Sequence, residues 1–321
     1  MSTVALTRRP AAGAAVLRTV AGKVLTAVIV LFFVATAAFF LVRLSGDPVK
    51  LILPPDATTQ QESTLRASLG LDRPLLTQYL DYLGGLPRLH LGTSLVYDQP
   101  VADVLLARVP ATLELAGAAL LLALLIAIPA GTFAALRRGR AGDTGVMTGV
   151  LVGQSTPAFW VGILLILVFA VRLQVLPASG YGGFEHLVLP AVTLAVYSVA
   201  VIARLLRTSL IDVLGADYIR TARAKGLGTG GVVLAHGLRN AALPVVTVVG
   251  LEVGSLLGGA ILTEQVFSWP GLGRLTVEAI QNRDFPLVQA AVLFFAATFV
   301  VVNLLVDLSY TLLDPRVRVT A

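Results

Sequence analysis

Arg204–Pro244, RLLRTSLIDVLGADYIRTARAKGLGTGGVVLAHGLRNAALP, is the longest polar break in the second half of a very apolar chain. Arg204, Arg207, Arg220, Arg223, Lys225 and Arg239 oppose only Asp212 and Asp217, and Thr221, Ala222, Ala224, Gly226, Gly228, Gly230 and Gly231 are threaded among them. A basic loop between two membrane spans belongs on the cytoplasmic side. From Asp217 to Lys225 the residues suit about two turns of helix, and Gly226 is placed to end it. Ala222 and Gly226, four apart on one face, would let the backbone of a partner approach. The alternative is a solvated loop that only sets orientation, which needs the charge but not the run of small residues.

Composition supports the membrane reading. Hydrophobic residues make up 56% of the chain and charged ones 13%, where a soluble domain carries about a quarter charged. Several separate apolar runs are long enough to cross a bilayer. They place spans at Val24–Val42, Ala111–Leu136, Thr144–Val171, Leu187 to the basic loop, Leu243–Leu262 and Leu287–Leu308. The first is too long for the apolar part of a signal peptide and ends in Arg43-Leu44-Ser45-Gly46-Asp47-Pro48, so it reads as a retained span. The net charge of +6 falls between apolar runs, which points to topology and not to nucleic acid.

Counted in order through the seven segments outside the spans, Lys plus Arg number four, five, three, one, six, two and two. The second segment breaks the alternation, but its five bases are outnumbered by seven acids and it is longer than the loops the charge rule governs. Six spans with both termini inside satisfy the rest. Residues 1–23 and 309–321 become cytoplasmic tails, 45–110 and 263–286 lie outside, and 137–143 and 204–242 lie inside. The outer segment 45–110 holds two short helices, Thr58–Leu69 and Leu75–Leu83, with turn signals at Pro54-Pro55, Gly84-Gly85 and Pro87.

Chemistry-bearing patterns are sparse. The sequence has no G-x-x-x-x-G-K-[ST] phosphate loop, no H-E-x-x-H and no G-x-S-x-G elbow, and it has no cysteine. His90, His186 and His236 are far apart, without ligand spacing. No catalytic residue and no metal site is expected. Glu114, Glu252 and Asp307 are the acids within or near spans. Glu114 and Asp307 sit near interfaces and suit structural hydrogen bonds. Glu252, about two turns into its span, faces protein or a water-filled path. Gly250, Gly254 and Gly258 recur at i+4, which suits close helix packing against this chain or a partner, or a path lined by bare backbone. Gln154-Ser155-Thr156-Pro157 either kinks the third span or hydrates a pathway.

The basic segment resembles the cytoplasmic coupling motif of ABC importer permeases, with Ala222, Gly226 and Leu238 at matching positions. Further motifs resemble the first (B-type) permease subunit of the dipeptide/oligopeptide/nickel branch, in its order and spacing from about residue 20 onward. They are Leu69-Gly-Leu-Asp-Arg-Pro with Gln78-Tyr79, Leu91-Gly-Thr-Ser94, Pro110-Ala-Thr-Leu-Glu-Leu115, Leu176-Pro-Ala-Ser-Gly180, Asp217–Leu227 with His236–Pro244, Glu264–Gly273 and Leu313-Asp-Pro-Arg316. His90 stands where that branch usually has an acid.

The resemblance implies an all-α integral membrane protein of the type I ABC importer (MetI-like) permease fold, with a small extracellular subdomain between its first two spans. It implies a bacterial plasma-membrane subunit that pairs with a homologous second permease. Two cytoplasmic ATPases would consume ATP and Mg, and an extracytoplasmic binding protein would deliver a dipeptide or oligopeptide, a nickel chelate or glutathione. This chain would bind no cofactor itself. The coupling element carried over is Arg220, Thr221, Ala222, Arg223, Ala224, Lys225, Gly226 and Leu227; Gln154, Ser155 and Glu252 are pathway candidates. The rival readings are a secondary transporter working without an ATPase and an intramembrane enzyme.

Overall fold

The architecture comes from a computed structural model that describes residues 12–44, 49, 53, 56–68 and 70–313. Nothing is strand there beyond an isolated bridge between Thr93 and Pro100. In chain order the helices are α1 (Ala12–Leu44), α2 (Thr59–Ser68), α3 (Leu75–Gly85), α4 (Val101–Leu136), α5 (Ala141–Ser155), α6 (Ala158–Leu165), α7 (Phe184–Leu214), α8 (Asp217–Ala224), α9 (Thr229–Val232), α10 (Arg239–Val266), α11 (Leu272–Gln281) and α12 (Phe285–Leu313). The Pro54-Pro55 turn, Leu69 and Asp314–Arg316 of the terminal motif lie outside the described residues, as do the first eleven residues and the last eight.

Five described helical stretches are long and apolar enough to cross a bilayer: Val20–Leu44, Val101–Leu136, Phe184–Leu214, Thr229–Gly258 and Phe285–Val306. The third expected span, Thr144–Val171, is not one helix. It is two arms, α5 and then Ala158–Arg172 (α6 with the π turn Ile166–Arg172 that continues it), bent by 102° at Thr156-Pro157. Pro157 has no N–H to donate and its ring drives the preceding residue out of the helical region, so Thr156 is extended at φ −92°, ψ 127°. The Thr156 hydroxyl turns back to donate to the Val152 carbonyl at 2.7 Å. At about 1.5 Å per residue, neither arm alone reaches across a hydrocarbon core of about 30 Å. The second span also begins earlier than expected, at Val101. Its first turns are buried against Leu272, Leu275 and Leu287, and that packing carries the helix past the apolar run.

The centre of the bundle is the pair α4–α7, with α10 packed against both. Along α4 the buried positions Ala111, Leu115, Ala119, Ala123, Ala127, Gly131 and Ala135 recur every four residues. They are mostly small residues, and the apolar ones share one core with Ala195, Ala203 and Leu206 of α7 and with Leu256 and Ala260 of α10. At Gly131 the helices are so close that a methyl group would stand 2.7 Å from the Ala203 carbonyl oxygen. With lipid on the outside, the hydrophobic effect does little to press helices together, and close backbone approach supplies the packing energy instead. α5 and α6 lie on α7, and α12 lies against α1 and α10.

Candidate functional site

The expected coupling segment forms a short helix, α8, on the end of the bundle that also carries Arg137, Arg138 and Arg140. One contact roots it there, and two local features shape the helix itself. Ile219 and Ala222 point inward and are buried with Val232, against Leu214 of α7. Asp217 in the first turn accepts from Arg220 at 3.3 Å, an exposed i,i+3 pair. The C-terminus closes in a Schellman motif, with the Leu227 N–H donating to the Ala222 carbonyl at 3.3 Å and the Gly226 N–H to the Arg223 carbonyl at 2.9 Å. That closure puts Gly226 at φ +85°, the left-handed region that glycine adopts without a steric cost.

The two small residues read as a pair in the sequence do different things here, and Gly226 ends the helix as expected. Ala222 packs into its own chain, against Ile219, Val232 and Leu214. Gly226 is exposed and is glycine because the turn demands its dihedral. The face that does point outward carries Tyr218, Arg220, Thr221, Arg223, Ala224, Lys225 and Leu227. Beyond it, Val233–Leu238 is wound as a π turn leading into α10, an irregularity that recurs at functional sites. On the same end, Arg207 of α7 grips Asp143 of α5 with two nitrogens, at 2.6 and 2.7 Å. The other donor to Asp143 is the Gly139 N–H at 2.9 Å. The helix leading into α8 is thus clamped to the α4–α5 turn.

The pathway candidates do not meet at one place. Gln154 accepts from Arg204 of α7 at 2.8 Å, and Ser155 is exposed. Glu252 is buried on α10 and accepts from Ser198 of α7 at 2.6 Å. Ser198 lines a cavity of about 340 Å³ together with Thr156, Pro157, Thr193 and Ser255, and Gln154 and Ser155 are not among its lining residues. The glycine stripe of α10 also divides. Methyl groups at Gly250 and Gly254 would strike Val306 and Phe299 of α12, whereas Gly258 faces open space. Two of the three glycines are accounted for by packing within the chain.

At the opposite end, motifs far apart in sequence converge in a polar frame. Glu264, fully enclosed, accepts from the Thr112 hydroxyl at 2.7 Å and from the Arg274 N–H at 3.0 Å. It thereby satisfies the N-terminus of α11. Thr112 in turn accepts from the Leu272 N–H at 2.8 Å, and the Trp269 indole donates to the Ala111 carbonyl at 2.8 Å. Any side chain on Gly271 would collide with Glu264. The Gly180 N–H donates to the Phe267 carbonyl at 2.9 Å, and Tyr181 stands edge-on to Trp269 and donates to Glu114 at 2.9 Å. Ser94 donates to the buried Asp284, which also takes the Val96 and Leu287 N–H groups. Glu264 lies beyond the spanning portion of α10, and burial pushes its carboxyl up, against the opposing bonds from Thr112 and the backbone. The Tyr181 phenol is likewise pushed up by its bond to Glu114.

Of these frame residues sequence reasoning gave a structural role only to Glu114, which accepts from Tyr181, and it gave none to the α4 stripe. The stripe's signal was present as alanine at every fourth position. The frame's signal was not, since nothing in one dimension brings Thr112 to Glu264.

Two family models cover the chain: "Binding-protein-dependent transport system inner membrane component" matches residues 127–319, and its N-terminal companion matches residues 16–116. Among curated proteins, the chain is 45% identical over 289 residues to the glutathione transport system permease protein GsiC of Escherichia coli strain K12, covering 90% of this chain and 94% of that one. GsiC of Shigella flexneri serotype 5b shows the same identity and coverage. Among solved structures, the MetNI methionine ABC transporter in inward-facing form aligns with a TM-score of 0.54 at 19% identity, over 67% of this chain and 98% of that one. An amino acid ABC transporter aligns with a TM-score of 0.51 at 15% identity, over 66% and 94%. These two likenesses concern the fold. The chain belongs to the binding-protein-dependent inner-membrane components and is a multi-pass permease of the ABC importers, in the branch that handles peptides and nickel.

Proposed function

We propose that this permease forms one half of the pathway of an importer for short peptides, and that α8 docks onto a cytoplasmic ATPase and carries its motion into the bundle. The observation that carries the proposal is the geometry of α8. It is a short helix with an inward apolar face rooted on α7, a fixed end at Gly226, and an outward face of Arg220, Arg223 and Lys225 beside exposed Tyr218 and Leu227. A mixed basic and apolar face of this kind suits an acidic-rimmed groove on another protein. Displacement of α8 would be passed on through Ile219 and Ala222 to α7, and through the Arg207–Asp143 clamp to α4 and α5.

In this reading the basic end is cytoplasmic and both chain termini lie there, by the excess of arginine and lysine in 137–143 and 204–242. The frame end then faces the binding protein. A homologous second permease completes the pathway, two ATPases hydrolyse ATP, and this chain is non-catalytic and holds no cofactor.

The cargo class is peptides, and glutathione, itself a peptide, is the specific candidate favoured by the similarity to the glutathione permeases. The test is reconstitution with the cognate ATPases and binding protein in vesicles. ATP-dependent uptake of a dipeptide, a pentapeptide and glutathione is measured in competition. Uptake of at least one, requiring both ATP and binding protein, is the expected result. Uptake without an ATPase, or of none of the three, overturns the reading.

A further inference from the structure

Where α1 ends, α3 folds back along it, and between them lies a cavity of about 200 Å³ lined by Phe39, Arg43, Arg73, Gln78, Tyr82 and Gln289 among others. Arg43 stands at the end of a span, where headgroup phosphates lie. Its guanidinium sits over the Phe39 ring, 3.4 Å from the centroid. It donates to the Phe39 carbonyl at 3.1 Å and to the Gln78 side-chain oxygen at 2.7 Å. Both acceptors are uncharged, so the bonds orient the cation without neutralising it. Tyr82 packs on the same ring, 5.5 Å away, and its hydroxyl is buried with no hydrogen-bond partner among the described residues. An enclosed hydroxyl without a partner is costly, so a group that supplies one is favoured there. Burial pushes this phenol up to about 12, so it stays a donor at physiological pH.

The one carboxylate lining the cavity, Asp81, is held by Arg73 at 3.0 Å. A second cavity, of about 130 Å³, shares Arg43 and Gln289 and continues to Phe285 and Pro286 at the start of α12. Alongside, Phe40, Leu41 and Leu44 of α1 and Leu76 and Leu80 of α3 are exposed. An oriented cation lining a cavity at the end of a span, with an orphaned hydroxyl enclosed in its wall and exposed apolar side chains alongside, matches an amphiphile whose polar part is anionic.

We propose that the cavity between α1 and α3 binds a phosphate group, with the Arg43 guanidinium and the Tyr82 hydroxyl as its donors. The group would come from an anionic phospholipid or from free phosphate. A lipid would fix α3, and the outer segment it belongs to, at the bilayer surface.

The purified full-length protein is stripped of lipid and titrated with phosphatidylglycerol or with inorganic phosphate, and adducts are read by native mass spectrometry. A saturable phosphatidylglycerol adduct is expected, weakened about tenfold in Arg43→Gln through loss of a charge-assisted bond and about threefold in Tyr82→Phe through loss of a neutral one. Arg88→Gln, on the turn after α3, serves as the control and should bind like the parent. Tyr82→Phe retains the packed ring, so its loss of affinity is not a folding defect. An adduct with inorganic phosphate that responds to the same two changes also supports the site and identifies free phosphate as its ligand. No saturable adduct with either probe, or adducts insensitive to both changes, overturns the proposal.

Discussion

Gly226 and Glu264 show how single residues are fixed by bonds that only the folded chain makes. Gly226 occupies φ +85° to close α8. Replacing it by Val should cost about 1–2 kcal/mol for the left-handed backbone, with more for the β-branch. We expect the end of α8 to be redirected while the bundle still inserts, so that ATP hydrolysis persists with transport reduced at least tenfold. Unchanged transport per ATP in reconstituted vesicles would falsify the docking role of α8. Glu264 makes a prediction in pH. Its folded-state pKa is raised by burial, so the native state holds the proton more tightly than the unfolded chain does. The stability it contributes is greatest below the ordinary carboxylate range and is lost as pH rises through that range to the raised folded value. Glu264→Gln removes this titration. The melting temperature of the parent relative to the variant should therefore fall as pH rises above the ordinary carboxylate range. A gap that is flat or widens with pH contradicts the buried, hydrogen-bonded environment described for this carboxyl.

The spacing of small residues governs how the helices pair. α4 carries one at nearly every fourth position toward α7, and Gly131 leaves no room for a methyl group beside the Ala203 carbonyl. α10 carries Gly250 and Gly254 toward α12, and Gly258 toward open space. Gly131→Ala should therefore lower stability by roughly 1–3 kcal/mol through overpacking, whereas Gly258→Ala should be neutral or slightly stabilising in the isolated chain. Thermal unfolding of the two variants in detergent checks this, and equal losses would contradict the α4–α7 seam. The sequence made the α10 glycines the conspicuous set, because glycines stand out where alanines do not. The tighter seam lay in the alanines of α4, ordinary residues for any helix and informative only once their shared face is seen. The break of the third span was legible at Pro157, but its 102° bend was not, since a proline sets where a helix stops and not the direction in which the next one leaves.

At the scale of the whole molecule, the two ends of the bundle differ in chemistry. One is a frame of buried acids and backbone bonds around Thr112, Glu264 and Asp284, and the other presents exposed arginines on α8. If the basic end docks an ATPase electrostatically, Arg220→Glu with Arg223→Glu should reduce co-purification of the ATPase several-fold. Association of the parent should weaken as salt is raised from about 50 to 500 mM. Retained association of the double variant at low salt would refute a charge-guided contact. The amino-acid sequence by itself determined that the chain is a helical membrane protein and which family it joins. Long apolar runs, punctuating prolines and ordered local motifs are properties of neighbouring residues. Only the tertiary structure decided that Ala222 faces inward and that Thr112, Trp269 and Glu264 form one network. Those facts depend on which surfaces meet after the helices pack, and a partner 152 residues away in the chain, as Glu264 is from Thr112, leaves no local trace.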